Sequence, residues 1–185
     1  MATPIGVTIR NAVLADADAV AAIHAASWRR HYRGAYADSF LDGDITADRR
    51  DVWNQRLNEP GSGCTLVADD GGTPVGFVHV VFDENARWGS LVDNLHVVFA
   101  RQRCGLGTAL LRSAARAAAA GATSGRLYLW VLEQNTAAQA FYRARGGSPV
   151  EEALVAPPGG VASRLAGNPR KLRFAWPDVE TLAWS

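Results

Sequence analysis

The stretch Leu91-Val92-Asp93-Asn94-Leu95-His96-Val97-Val98-Phe99-Ala100-Arg101-Gln102-Arg103-Cys104-Gly105-Leu106-Gly107-Thr108-Ala109-Leu110-Leu111 decides the fold. Its opening is apolar and rich in β-branched residues, which reads as a largely buried strand. Its end opens an Ala/Leu/Arg-rich helix, and between them lies a turn with two glycines flanked by basic and amide side chains. A strand that feeds a glycine turn into a helix builds an anion site. The first N–H groups of the helix have no intrahelical partner and stand at the positive end of its dipole. Gly105 and Gly107 lack a Cβ, so a phosphate can come close to the backbone. The ligand is not a dinucleotide, because Leu110 stands where the third glycine of G-x-G-x-x-G belongs. It is not a P-loop nucleotide either, because Thr108 follows Gly107 with no intervening lysine.

The rest of the composition narrows the class. The chain has 185 residues, 48% of them hydrophobic, which suits one globular domain spanning residues 1–185. A net charge of +1 gives no electrostatic reason to expect nucleic acid or a membrane surface as partner. Lys171 is the sole lysine. Cys64 and Cys104 have no metal or redox spacing, so no metal is expected and the thiols read as reduced. Met1 to Arg10 lacks a long apolar run and no stretch approaches transmembrane length, so the expectation is a soluble, cytoplasmic protein.

Taken in order, Val7-Thr8-Ile9-Arg10 reads as a short strand, and a helix begins near Asp16 with Val20, Ile23, Ser27 and His31 at helical spacing. Residues 38–51 read as a loop leading to a second helix through Arg49, Trp53 and Leu57, which Pro60-Gly61 stops. Residues 64–68 and 75–82 read as a hairpin around Asp70-Gly71-Gly72, followed by a loop over residues 83–89. After the central strand and helix come a strand at residues 127–132, a helix opened by Asn135 or Thr136, and strands at 150–155 and 171–176. The Pro- and Gly-rich residues 156–170 read as mobile. Helices, an antiparallel meander and one strand–helix–strand crossover make an α/β (α+β) domain with a mixed sheet. Exposed edge strands near the C-terminus leave room for a homodimer.

Gln102-Arg103-Cys104-Gly105-Leu106-Gly107 resembles the acyl-CoA-binding motif Gln/Arg-x-x-Gly-x-Gly/Ala of the GCN5-related N-acetyltransferases, the GNAT superfamily. The later run Leu129-x-Val131-x-x-x-Asn135-x-x-Ala138-x-x-Phe141-Tyr142-x-x-x-Gly146 resembles the other half of that family's pattern. Two departures are Phe99, where many members carry Pro, and Gly147, where many carry Phe. The resemblance implies a mostly antiparallel central sheet flanked by helices, with acyl-CoA bound where the central strands splay. It implies acetyl-CoA as co-substrate, with Leu95, Val97 and Val98 along the acetyl and pantetheine arm. Gln102, Arg103, Cys104, Gly105, Leu106, Gly107 and Thr108 would surround the pyrophosphate, and Asn135 would contact the arm. The Val97 backbone N–H would stabilise the developing oxyanion, and Tyr142 would be the general acid to the leaving thiolate.

The base and the acceptor are less defined. Leu91 stands where some members carry Glu; Asp93 is the nearest carboxylate and His96 has a suitable pKa, and His24, His31, Glu133 or a water chain stay open as the base. On a regular strand Asp93 shares a face with Leu95 and Val97 while His96 points the other way, and a bulge would change that. Packing is the default role for Trp28, Tyr32 and Tyr36. The family alternative is that they line the acceptor pocket, and the Trp-x-x-x-Tyr-x-Gly spacing resembles a branch that includes polyamine acetyltransferases. The expected activity is transfer of acetyl to a primary amine, on a small molecule or a peptide N-terminus, by direct attack in a ternary complex. The competing reading is a non-catalytic acyl-CoA-binding module.

Overall fold

The computed structural model describes residues 6–184. The expectation about a targeting segment in part concerns residues 1–5, which lie outside that range. Seven strands form one sheet in the order β1-β2-β3-β4-β5-β7-β6. They are β1 (Val7–Asn11), β2 (Gly63–Asp70), β3 (Thr73–Asn85), β4 (Gly89–Val97), β5 (Leu127–Leu132), β6 (Ser148–Leu154) and β7 (Arg170–Trp176). Only β4 and β5 run parallel, because the helix between them is the one crossover. The helices are α1 (Ala17–His31), α2 (Asp38–Leu41), α3 (Ile45–Asn58), α4 (Leu106–Gly121), α5 (Thr136–Arg143) and α6 (Val179–Trp184).

Alternation along the strands sorts side chains between two cores. One face meets α4, where Leu106, Leu110, Leu111, Ala114, Ala115 and Ala118 pack against Val78, Val80, Val92, Leu127, Leu129 and Val131. Each fully buried leucine there is worth about 1.5–3 kcal/mol against exposure. The other face meets α1 and α3, where Trp53 and Val20 close over Val67 and Phe77. The β2–β3 hairpin turns on Gly71 and Gly72, with φ of +60° and +91°, a conformation open to glycine at low cost.

Several boundaries differ from the sequence reading. Residues 38–51 are not a loop: α2 forms within them and α3 already starts at Ile45, with the Asp44 carboxylate capping the Ala47 N–H at 3.1 Å. Residues 83–89 form only a tight turn, since β3 runs on to Asn85 and its Oδ1 accepts from the Arg87 and Trp88 N–H groups. Residues 156–170 are tied down rather than loose. The Ala37 N–H donates to the Arg164 carbonyl and the Ala166 N–H to the Ala35 carbonyl, while Arg164 bridges to Asp48 at 3.0 Å. The sequence reading also missed α6, whose Val179, Leu182 and Ala183 are buried against the α4 side. Among the described residues no helix is long and apolar enough to cross a membrane.

The feature that makes a site is a break in pairing. Strands β4 and β5 are registered only at Ser90↔Leu127, Leu91↔Tyr128 and Val92↔Leu129. Beyond these, β4 continues to Val97 and β5 to Leu132 without pairing to each other, so the sheet opens between them.

Candidate active site

A cavity of about 520 Å³ fills this opening and passes from one face of the sheet to the other. On the α4 side its wall includes Leu95, Val97, Leu129 and Val131, which also pack with the α4 core. On the α1 side it includes Ser27, His31, Tyr32, Asp93, His96, Trp130 and Leu132. The two halves meet at the gap.

The α4 side is built to take an anion. Gly105 is the N-cap of α4 with φ of +91°, and no side chain caps that end. The first intrahelical bond is Ala109 N–H to Gly105 O, at 3.0 Å, so the N–H groups of Leu106, Gly107 and Thr108 are left over. Arg145 adds a cation here: its Nε and Nη2 donate to Thr108 Oγ1 at 3.0 and 2.9 Å, and its guanidinium lies 4.4 Å from the centre of the Phe141 ring. A positive side chain at the positive end of a helix is unfavourable unless an anion joins them. Among the described residues Arg145 has no carboxylate partner. Arg103 also lines the cavity and holds φ of +62°, an uncommon conformation for a non-glycine residue.

The turn is locked to the end of β4. Gln102 Nε2 donates to the Val97 carbonyl at 3.2 Å. The Val98 N–H donates to Val75 O, and alternation along the antiparallel ladder turns the Val97 N–H to the other edge, into the gap. Asn135 is the N-cap of α5, with Oδ1 accepting from the Ala138 N–H at 3.1 Å, and its Nδ2 remains available at the cavity wall. Three of the residues assigned to the donor from sequence lie off the wall. The Leu106 side chain is in the core, Val98 packs beneath the strand end, and the exposed Cys104 thiol donates to the Arg101 carbonyl at 2.7 Å.

Tyr142 stands where the halves meet. Its ring packs against Phe141, Phe174 and Trp176 at centroid distances of 5.2, 5.9 and 6.1 Å, and the residue is 9% exposed on the cavity wall. Burial holds its hydroxyl pKa well above the ordinary tyrosine value, with Tyr32 adding to the effect, so the proton stays on.

On the α1 side a bulge sets the geometry. Pairing between β3 and β4 slips between His79↔Asn94 and Val80↔Val92, leaving Asp93 as the extra residue. Asp93 therefore faces α3, where its Oδ2 accepts from Arg56 Nη1 at 2.7 Å and from Asn94 Nδ2 at 2.6 Å. This is not the face of Leu95 and Val97 that regular alternation assigns. His96 points to the same side, stacked 4.9 Å from the His24 ring and tilted against Phe77. Its Nδ1 is 2.8 Å from Ser27 Oγ. Burial, then the charge of His31, lowers the His96 pKa to about 4 against a small opposing pull from Asp93, so the ring is neutral at ordinary pH. Trp53 Nε1 donates to His24 Nδ1 at 3.0 Å, leaving His24 Nε2 buried without a partner.

Of the three aromatics assigned to the acceptor side, only Tyr32 reaches the cavity. Trp28 and Tyr36 sit behind it in a packed cluster with Leu41, Ile45 and Leu132, where the Arg49 guanidinium covers Trp28 at 4.4 Å. Ser27 and Arg145 were missed by the sequence reading. Arg145 follows Phe141 by four residues, a helical neighbour spacing that could have drawn it to the turn. Ser27 has no such signal, because its role depends on a strand far away in sequence. Among the described residues no group of three or more His, Cys, Asp or Glu side chains is arranged to hold a metal ion.

Comparison with known proteins agrees with this architecture. The sequence model described as "Acetyltransferase (GNAT) family" matches residues 18–146. The chain is 28% identical over 179 residues to the Uncharacterized N-acetyltransferase YuaI of Bacillus subtilis (strain 168), covering 95% of this chain and 96% of that one. Its fold is similar to the PaiA N-acetyltransferase of Thermoplasma acidophilum in complex with coenzyme A, with a TM-score of 0.71 at 17% identity over 93% of this chain and 100% of that one. It is also similar to YncA of Salmonella typhimurium, a putative acetyltransferase with its cofactor acetyl-CoA, with a TM-score of 0.63 at 22% identity over 92% of each chain. Two signature segments flank a gap in a seven-stranded sheet, and the family's sequence model spans both, so the chain belongs to the acetyltransferase (GNAT) family.

Proposed function

We propose that the chain is an acetyl-CoA-dependent N-acetyltransferase that passes the acetyl group directly to a primary amine. The observation that carries this reading is the cavity through the sheet, with an uncapped helix start and two arginines on one side and a polar pocket on the other. A site that only held CoA would need no opening on the α1 side.

Bound acetyl-CoA supplies an activated thioester carbonyl. The α4 N–H groups with Arg103 and Arg145 would hold its phosphates, and Asn135 Nδ2 would hydrogen-bond the arm. The Val97 N–H, already aimed into the gap, stabilises negative charge on the carbonyl oxygen as attack proceeds. Tyr142 donates its hydroxyl proton toward the departing sulfur. Across the gap, Asp93 Oδ1 is the carboxylate oxygen with no partner among the described residues, and it anchors the amine. The amine attacks in its neutral form, after an ammonium has released one proton to solvent. As the new C–N bond forms, the nitrogen becomes far more acidic than a free ammonium, so the weakly basic neutral imidazole of His96 can take the second proton. Among the described residues no cysteine lines the gap, which favours direct transfer over an acetyl-thiol intermediate.

Purified protein incubated with acetyl-CoA and a panel of primary amines should release free thiol only when both substrates are present. Release that never exceeds the amine-free rate, with acetyl-CoA binding intact, would favour the non-catalytic module.

A further inference from the structure

Beside the α1-side half of the cavity stands one cation that has no carboxylate among the described residues. Register places Lys171 directly across from Leu132 and Arg173 across from Trp130, so both cations share the face of those two wall residues. The Lys171 Nζ lies 4.5 Å from the centre of the Trp130 ring. Arginines nearby each have a carboxylate: Arg56 pairs with Asp93 at 2.7 Å, Arg173 with Glu151 at 3.2 Å, and Arg170 with Glu152. Lys171 has none among the described residues, and its half-buried ammonium reaches only the ring of the wall residue Trp130.

On the other side of Trp130, Asp93 keeps Oδ1 open toward the same space. Strand order puts β5 between β4 and β7, so a carboxylate and an ammonium stand on opposite sides of the indole. An α-amino acid carries an ammonium and a carboxylate on one carbon, opposite in sign to Asp93 and Lys171 respectively. A diamine or polyamine would meet a lysine where it needs a second carboxylate.

We propose that the acceptor is a small α-amino acid, its amine on Asp93 and its carboxylate on Lys171, with Trp130 beneath. This rests on the N-acetyltransferase reading and adds the substrate class to it. Asp93 and Lys171 sense each other's charge across the pocket. Burial and Arg173 lower the ammonium pKa while Asp93 and Glu84 oppose that shift. A carboxylate ligand would relieve the burial penalty on Lys171, because a charge-assisted hydrogen bond replaces lost water.

The test is steady-state thiol release from acetyl-CoA with the proteinogenic α-amino acids, their C-terminal amides, and spermidine, for the wild type, Lys171→Met and Lys171→Arg. The expected result is that at least one amino acid is used with kcat/KM about tenfold or more above its amide, the size of one charged hydrogen bond. Lys171→Met should erase that preference through KM with kcat for the amino acid little changed. Lys171→Arg should restore part of the preference. Amides or spermidine preferred over every amino acid would overturn the proposal and leave the acetyltransferase reading standing, as would a preference that survives Lys171→Met. No thiol release with any amine would remove that reading and the proposal together.

Discussion

Asp93 and His96 lie on the same side of β4 although they are three positions apart, because the strand carries its bulge at Asp93. In a regular strand an odd separation sends two side chains to opposite faces. The bulge brings a carboxylate with a free oxygen and a neutral imidazole to one pocket, and that allows them different work. Asp93→Asn should raise the KM for amine about tenfold with a smaller change in kcat, since a charged hydrogen bond to the acceptor is weakened. His96→Gln should lower kcat about 10²-fold or more, the ordinary scale of general-base loss, with KM nearly unchanged. Steady-state kinetics at saturating acetyl-CoA separates the two, and the opposite split would exchange their roles.

Tyr142→Phe keeps the ring among Phe141, Phe174 and Trp176 and deletes only the hydroxyl. Turnover should fall about 10²-fold, while the affinity for acetyl-CoA measured by calorimetry stays within about twofold. Equal turnover would remove Tyr142 from the chemistry and leave it a packing residue.

Arg145 is held by Thr108 beside the start of α4 without a carboxylate. Arg145→Leu should weaken acetyl-CoA binding about tenfold or more, because a charged contact to phosphate is lost. The thermal midpoint should hold or rise slightly, since a cation next to the positive helix end is removed. A large drop in the midpoint would make Arg145 a structural residue.

Acid should destabilise the fold before the carboxylates titrate. Burial is the main cause that lowers the pKa of His79 and His96 to about 4, and of His24 well below its ordinary value. Each imidazole is neutral in the fold and takes a proton in the unfolded chain near pH 6.5. Between those values the unfolded state binds more protons, so stability is intact above about pH 6.5 and declines as pH falls toward 4. Thermal midpoints from pH 7 to 5 should fall, and the fall should be shallower in His79→Gln, which keeps a partner for Thr65 Oγ1. Parallel slopes in the two proteins would contradict a neutral buried His79.

The sheet, the crossover and the Gly105–Gly107 turn were legible because strand alternation, hairpin glycines and helix spacing are local signals. The pairing break at Val92/Leu129 and the bulge at Asp93 were not, since each depends on how two distant strands register. The same reason hides Ser27, whose partner His96 lies 69 residues away. The short helix α6 and the tied segment 156–170 were missed because six residues give little periodicity and Pro/Gly composition says nothing of the contacts a loop finds. Trp28 and Tyr36 took the packing role that large aromatics take by default, and only Tyr32 came through to the cavity.

The central claim is that the open start of α4 holds the donor, and Gly107→Asp tests it most directly. A Cβ at Gly107 meets the Phe141 ring at an ordinary 3.4 Å, and an acid in the first turn suits the helix dipole, so the fold should stand or gain stability. The same carboxylate would repel phosphate from the N–H groups it faces. Calorimetric titration with acetyl-CoA should give micromolar binding for the wild type and at least tenfold weaker binding for the variant at an unchanged or higher thermal midpoint. Equal affinity in the two proteins, or no binding by the wild type, would contradict the account.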